Sequence, residues 1–284
     1  MLNNEIAFVN GKSSRDFGVF LIGGNIFDYP TREVEYLDVP GRSGSLTIDK
    51  GRWNNIDITY TFAAYDKDAP TKLNAWKEYL LANQGYQKIE TSVEPDIYRQ
   101  GVLKSASSPQ ISMVGGGGCV EVTFSCMPQK WLKEGADEAT TLTNGLLIKN
   151  PTNFDAKPLL NIKASQVGAI IRVQNYLYDK VDGDEWLIAD SNIKINTTEQ
   201  MWIDCETCDA FDFDDHINYN PYVELTDPLI PTQVPNEFPV ICGQSKWMQH
   251  PVFLRRQIYD AETRTRVYIS NFSRADMYPR WWTI

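Results

Sequence analysis

VPGRSGSLTIDKGRWNNIDITYTF, residues 39–62, is the stretch on which the fold turns. Leu46 and Ile48, then Ile56, Ile58 and Tyr60, alternate with polar residues at the two-residue period of half-buried strands. Gly41, Gly44 and Gly51 give backbone freedom where the path must bend, and Asp49-Lys50-Gly51 is the predicted turn. The reading is an exposed β-ribbon. Two strands alone are marginal in water, so the ribbon needs a receiver: its own domain at the base and a neighbouring subunit at the tip.

The rest of the chain sets that ribbon in a mainly β protein. With 284 residues there is length for two domains, each with its own core. Eight Trp, fourteen Tyr and short β-branched runs favour strands. No apolar run approaches the roughly 20 residues that span a bilayer, and the start, MLNNEIAFVNGKSSRDF, lacks signal-peptide character. The expectation is a soluble chain made in the cytoplasm, with no membrane insertion. Five cysteines, an odd number, argue against a disulfide framework.

The net charge of −10 excludes a general nucleic-acid binder, which needs a basic face to displace counterions. The charge is also unevenly spread. Residues 179–237 carry fifteen acidic and two basic residues, whereas 238–284 carry seven basic and three acidic. Solvated faces explain both; opposite patches meeting within or between copies is the sharper alternative.

Strands are predicted at Glu5–Asn10, Phe17–Ile22 and Arg32–Val39, with Asn10-Gly11 as a turn. One helix stands out, about Pro70 to Ala82. Asp68 is its predicted N-cap, Pro70 fits its first turn, Gly85 terminates it, and Leu73, Trp76 and Leu80 share a face that reads as core. Strands resume from Gln87. The glycines at 115–118 precede the alternating strand CVEVTFSC, so they read as a hairpin tip; a phosphate-cradling loop needs a helix there.

The polar, charged stretch at 130–139 marks a boundary, giving domains 1–138 and 139–284. Beyond it, short strands recur at the spacing of a β-sandwich, and Val252–Tyr259 and Arg264–Ser270 are predicted to pair as a basic hairpin, 252–270. That hairpin reads either as an extra strand pair or as a docking arm.

Nothing in the sequence forms a catalytic set. Cys205-Glu206-Thr207-Cys208 has metal-like spacing but no second pair; zinc would have to recruit His216, one of two histidines with His250. Asp209, Asp212, Asp214 and Asp215 could hold calcium, yet the EF-hand pattern is absent. There is no G-x-S-x-G and too few histidines for a triad. No catalytic residue, cofactor or metal is therefore expected, and the protein is not read as an enzyme.

Seven blocks in order resemble the distal tail protein (Dit) family of long-tailed, non-contractile bacteriophages. They are SSRDFGVFL, the opening stretch, GYQKIETSVEPDIYRQG, VTFSCMPQKWLKEG, KNPTNFDAKPLLNI, IDCETCDAF and the terminal PRWWTI. Between Pro239 and Met277 the chain departs from the family's short Pro-Gly turn with a longer basic segment. The resemblance implies an N-terminal ring-forming β-barrel or sandwich-like domain with one helix, followed by a C-terminal galectin-like β-sandwich. It implies a hexameric ring at the distal end of a phage tail, assembled in the host cytoplasm. That ring would join the tail tube to a tail-associated or tape-measure-end protein and to receptor-binding or baseplate proteins, with DNA passing through its lumen. Leu46, Ile48, Trp53, Ile56 and Ile58 are then the expected inter-subunit ribbon residues, because a ring needs one patch to meet a different patch on the next copy. The alternative function is a carbohydrate-binding module contacting host glycans through Trp186, Trp202 and Trp247.

Overall fold

The computed structural model describes residues 6–112, 116–178, 184–212, 217–226, 252, 254–257 and 262–284. The chain divides into two compact units, residues 1–131 with 284, and residues 132–283. It is mainly β, with one α-helix among the described residues.

In the first unit the strands are β1 (Ala7–Val9), β2 (Lys12–Ser13), β3 (Phe20–Gly24), β4 (Arg32–Leu37), β5 (Leu46–Trp53), β6 (Ile56–Ala64), β7 (Gln87–Thr91), β8 (Glu94–Ala106), β9 (Gln110–Ile111) and β10 (Gly118–Leu132). A sheet runs β2-β1-β7-β8-β10-β6-β3, with β9 also on β10. Alternation does what it should in β6: Ile58, Tyr60 and Phe62 point inward at 2 % exposure or less. On β10, Val120, Val122, Phe124 and Cys126 do the same.

Helix α1 (Ala69–Ala82) closes this core. Leu73, Trp76 and Leu80 are fully buried, and the Trp76 ring lies 5.3–5.7 Å from Phe17, Phe62 and Tyr79. Its start differs from expectation in one respect. The Asp68 side chain makes no capping bond; its carbonyl accepts from Lys72 N at 3.0 Å instead, while Asp66 Oδ1 accepts from Asp68 N. Asn83, not Gly85, closes the far end, donating to Tyr79 O at 2.7 Å.

The ribbon is real, but its strands pair otherwise than expected. β4 pairs with β5 in a separate two-stranded sheet, while β6 joins the main sheet. No chain reversal occurs at Asp49-Lys50-Gly51. Gly51, at φ +74, lies within β5 where the register to β4 shifts, and Asp49 Oδ1 accepts from Gly51 N. The reversal is residues 38–45, with Gly41 and Gly44 both at positive φ.

In the second unit the strands are β11 (Thr140–Thr141), β12 (Leu146–Ile148), β13 (Leu159–Ala164), β14 (Ala169–Tyr178), β15 (Glu185–Ile195), β16 (Gln200–Asp204), β17 (Asp209–Phe211), β18 (Val223–Thr226), β19 (Glu262–Ser270) and β20 (Phe272–Tyr278). They form two five-stranded sheets, β11-β20-β13-β16-β17 and β12-β19-β14-β15-β18. Leu160, Ile162, Met201, Ile203 and Met277 from one sheet meet Ile171, Val173, Ile193, Ile195 and Val267 from the other in a single core.

Residues 253 and 258–261 of the predicted basic hairpin lie outside the described residues, and its predicted second strand, Arg264–Ser270, falls within β19. β19 is an interior strand between β12 and β14, with Thr263, Thr265 and Val267 buried, and a turn at Asn271, at φ +66, carries the chain from it into β20 of the other sheet. Val252 and Leu254 are buried, and Leu254 forms a bridge to Ala156.

Candidate functional site

The ribbon's root is fixed to the main sheet by backbone-directed side-chain bonds. Asn25 Oδ1 accepts from Thr59 N at 2.6 Å, and Asn25 Nδ2 donates to Asp57 O at 3.0 Å. Gly24, at φ +134, lies so close to β6 that a Cβ there would sit 2.0 Å from Thr59 O. Asn54 N donates to Thr31 O at 2.9 Å and closes the base.

Above that root three charge pairs join the two strands: Arg32 with Asp49 at 2.6 Å, Lys50 with Glu35 at 2.5 Å, and Arg52 with Glu33. The Arg32 guanidinium also lies 5.4 Å from the Trp53 ring centre. Hydrogen bonding to Lys50 holds Glu35 below the usual carboxylate range, and bonds from Arg32 and Gly51 do the same for Asp49. Exposed pairs of this kind contribute little individually.

The outer half is apolar on one face. Glu35 stands opposite Ile48 and Leu37 opposite Leu46, so Leu37, Leu46 and Ile48 share a face with Glu35, and Val39 lies in the turn just beyond β4. These four side chains are 37–51 % exposed. Tyr36, 69 % exposed, stands on the opposite face. Among the described residues β4 and β5 pair only with each other, leaving open edges that another chain can extend.

Sequence reasoning found Leu46 and Ile48, and the structure places both on this apolar face. Trp53 sits at the root. Ile56 is half-buried at the start of β6, and Ile58, with 0 % exposure, belongs to its own domain's core. Leu37 and Val39, exposed beside Leu46 and Ile48, are absent from the expected set. The strand Arg32–Val39 was predicted, but the turn expected at Asp49-Lys50-Gly51 paired residues 46–48 with 56–60 and hid that β4 is the partner of β5.

No family model matches the sequence, and no curated protein matches it significantly. Nine solved chains match in three dimensions. One is the crystal structure of the Dit protein of phage SPP1, described as a paradigm of the hub adsorption apparatus in phages infecting Gram-positive bacteria. The match has a TM-score of 0.57 at 14 % identity and covers 94 % of this chain and 99 % of that one. The chain has the Dit fold. Two further matches are the phage P2 baseplate in its activated conformation with calcium and with strontium; both have 9 % identity, cover 96 % of each chain and give TM-scores of 0.47 and 0.46.

Elsewhere in this Dit-fold chain the expected chemistry is sparse. Cys205 is buried and its thiol is pushed up by desolvation, as is that of half-buried Cys208. Neither presents a ready thiolate for metal or redox work. His216, Asp214 and Asp215 lie outside the described residues, as do His250 and Trp247; Asp209 Oδ1 accepts from Asn220 Nδ2 at 3.2 Å. No group of three metal-ligating side chains occurs among the described residues. No helix among them is long and apolar enough to cross a membrane.

The outer face of β14, β15 and β19 is a polar, aromatic surface. Arg172 donates to Asp190, Gln174 Nε2 donates to Asp190 Oδ2 at 3.1 Å, and Tyr176 donates to Gln174 Oε1 at 2.8 Å. Arg266 pairs with Glu185 at 2.8 Å and lies over Tyr176, and Arg264 lies 3.7 Å from the centre of Tyr178. Trp186 is 45 % exposed, whereas Trp202 stands 5.8 Å from the Tyr278 ring.

Proposed function

We propose that this chain is a structural hub of a bacteriophage tail tip, a distal tail protein whose copies close into a hexameric ring. The observation that carries the reading is the β4–β5 ribbon, exposed on both faces and apolar on one, in a chain with the Dit fold over nearly its whole length. An exposed apolar strip of this kind is a liability in a monomer and an asset at a heterologous interface. Leu37, Val39, Leu46 and Ile48 form the inter-subunit surface, with Trp53 and Ile56 at its root. Ile58 is left out because its own domain already encloses it.

The ring joins the tail tube above to a tape-measure-end protein and to baseplate or receptor-binding proteins below. DNA passes through its lumen, and the acidic balance of the chain suits a conduit that must not retain DNA. Its place is the distal end of the tail in the virion, after assembly in the host cytoplasm, and its work is structural and not enzymatic. Size-exclusion chromatography with light scattering tests this at micromolar concentration, with the protein alone and co-expressed with the tube protein. A mass near six chains in either sample supports the ring; a strict monomer in both contradicts it.

A second reading has its own observation. The outer face of β14, β15 and β19 sets the guanidinium groups of Arg172, Arg264 and Arg266 and the Lys149 ammonium against Asp190, Glu185 and Glu262 and adds Tyr176, Tyr178 and Tyr268, a hydrogen-bonding and stacking surface of the kind that suits saccharides. Binding to an array of bacterial surface polysaccharides that is lost in Tyr176→Ala and Arg266→Ala supports a carbohydrate-binding role; a clean negative removes it.

A further inference from the structure

A heterologous contact needs two different patches on every copy, a donor and a receiver. The ribbon is the donor. Outside it, the large apolar side chains exposed among the described residues of the first unit are Phe27, Tyr29, Tyr65, Leu81, Tyr86 and Ile111. Four of these gather at the ribbon's own root. Phe27 and Tyr29 lie in the segment leading into β4, Asn55 Nδ2 reaches the Tyr86 hydroxyl at 3.5 Å, and Leu81 stands at the end of α1 just before Tyr86. Tyr65 and Ile111 are at the other end of the sheet. Tyr65 follows the last residue of β6, and Ile111 pairs with Gly118, which pairs on its other side with Ala64. β6 is nine residues long, so its two ends are about 26 Å apart.

At that far end Tyr65 and Ile111 flank an open groove of about 390 Å³, lined also by Ala64, Gln110, Gly118 and Cys119. The Tyr65 ring is held against Phe20, their centres 6.1 Å apart. Gly118 keeps the floor open, since a Cβ there would sit 2.6 Å from Ile111 Cδ1 and 2.9 Å from Gln110 O. At ~30 Å³ for each water-sized group the space holds about thirteen, enough for two leucine or isoleucine side chains. The rim carries a charge. Asp66 is taken by Lys72, which leaves the neighbouring Lys67 ammonium, beside Gly116, without a carboxylate among the described residues. The ribbon's turn carries Asp38 and Arg42, each outside any ion pair among the described residues, and the Asp38 carboxylate accepts only from the Ser45 hydroxyl. Asp38 adjoins Leu37, so it is the charge that comes to the rim when Leu37 enters the groove.

Resting on the ring reading, we propose that this groove is the receiver: Leu37, Leu46 and Ile48 of one copy's ribbon seat over Tyr65 and Ile111 of the next copy, with Asp38 set towards Lys67. Donor and receiver then stand at opposite ends of β6, so the contact runs head to tail, as a ring requires. The match is apolar against apolar at the centre and opposite charges at the edge. A stable contact buries about 800 Å² on each partner, so the polar flanks of the ribbon lie along the rim as well.

Cys119 supplies the probe, because it lines the groove and is half-buried, whereas Cys126 and Cys205 are buried. The full chain carrying Ile48→Cys or Leu46→Cys is co-expressed with the tube protein and treated with a short bismaleimide. Each thiol adds across one maleimide double bond, so no oxidant is needed. The expected result is a covalent ladder from dimer to hexamer on a denaturing gel, lost when Cys119→Ser is added. Light scattering on the same samples reads the ring. Rings without a ladder in either variant, or a ladder that survives Cys119→Ser, overturn this receiver and leave the ring reading standing. No ring in any sample, the native chain included, removes the ring reading and this inference with it. Ile111→Asp is the independent arm: Ile111 is 41 % exposed, so the melt should be unchanged while the ring mass is lost, and intact rings count against the groove. Should both cysteine variants lose the ring, Ile111→Asp decides alone.

Discussion

Replacing Leu46 and Ile48 together by Asp separates the ribbon's role in assembly from any role in folding. In the single chain these side chains are 37 % and 43 % exposed, at the outer half of a ribbon that contributes nothing to either hydrophobic core. Surface substitutions of this kind change stability by about 0.5 kcal/mol each, somewhat more where a strand loses a β-favouring residue. The monomer should thus lose less than about 2 kcal/mol. At an interface the arithmetic differs. Full burial of a Leu or Ile is worth about 1.5–3 kcal/mol, so covering the roughly 40 % still exposed on each contributes about 1 kcal/mol per residue. Losing about 2 kcal/mol weakens each subunit contact about thirtyfold. Two carboxylates forced into the interface add a desolvation penalty of several kcal/mol. Because every contact in a closed ring is affected, rings should be undetectable at micromolar concentration. Light scattering reads the mass and far-UV circular dichroism with a thermal melt reads the fold. Rings that persist in the double variant, or a variant that no longer folds, would refute the placement of this surface.

Other outcomes follow from the cores and the titrating groups. Trp76→Ala should cost about 3–5 kcal/mol in a denaturant melt, since Trp76 is fully buried beneath α1 among Phe17, Phe62 and Tyr79. Glu262 is lowered to about 2 by hydrogen bonds from Lys149 and Arg264. Its ionised form therefore stabilises the fold above its ordinary value of 4.5, and that contribution is lost as pH falls from there towards 2; Glu262→Gln should flatten this limb of a stability-against-pH curve. Cys126 and Cys205, buried with raised thiol pKa values, should react with a thiol reagent at pH 8 at least a hundredfold more slowly than free cysteine, becoming fast only on unfolding.

Sequence reading reached the local structure more readily than the pairing. The stacking of Leu73, Trp76 and Leu80 fixed the helix and its buried face, because those contacts lie within one segment. The same alternation marks Ile48 and Ile58, yet one is 43 % exposed and the other fully buried. A period of two shows that a strand has two faces; it does not show which sheet receives it. Asp49-Lys50-Gly51 has turn composition, but Gly51 spends its positive φ on a register shift inside β5, and the reversal falls at Pro40-Gly41-Arg42-Ser43-Gly44. β19 shows the same limit. A strand at Arg264–Ser270 was readable, though Thr263 was assigned to a turn, while its neighbours β12 and β14 lie about a hundred residues away in sequence.

In the proposed ring the ribbon of one copy is received by the next. Electron microscopy of the native protein, co-expressed with the tube protein, tests it most directly. Closed six-fold rings are expected, in which residues 32–53 of each subunit pack Leu37, Leu46 and Ile48 on the adjacent copy. Isolated monomers in every sample, or rings in which those residues project freely into solvent, would contradict it.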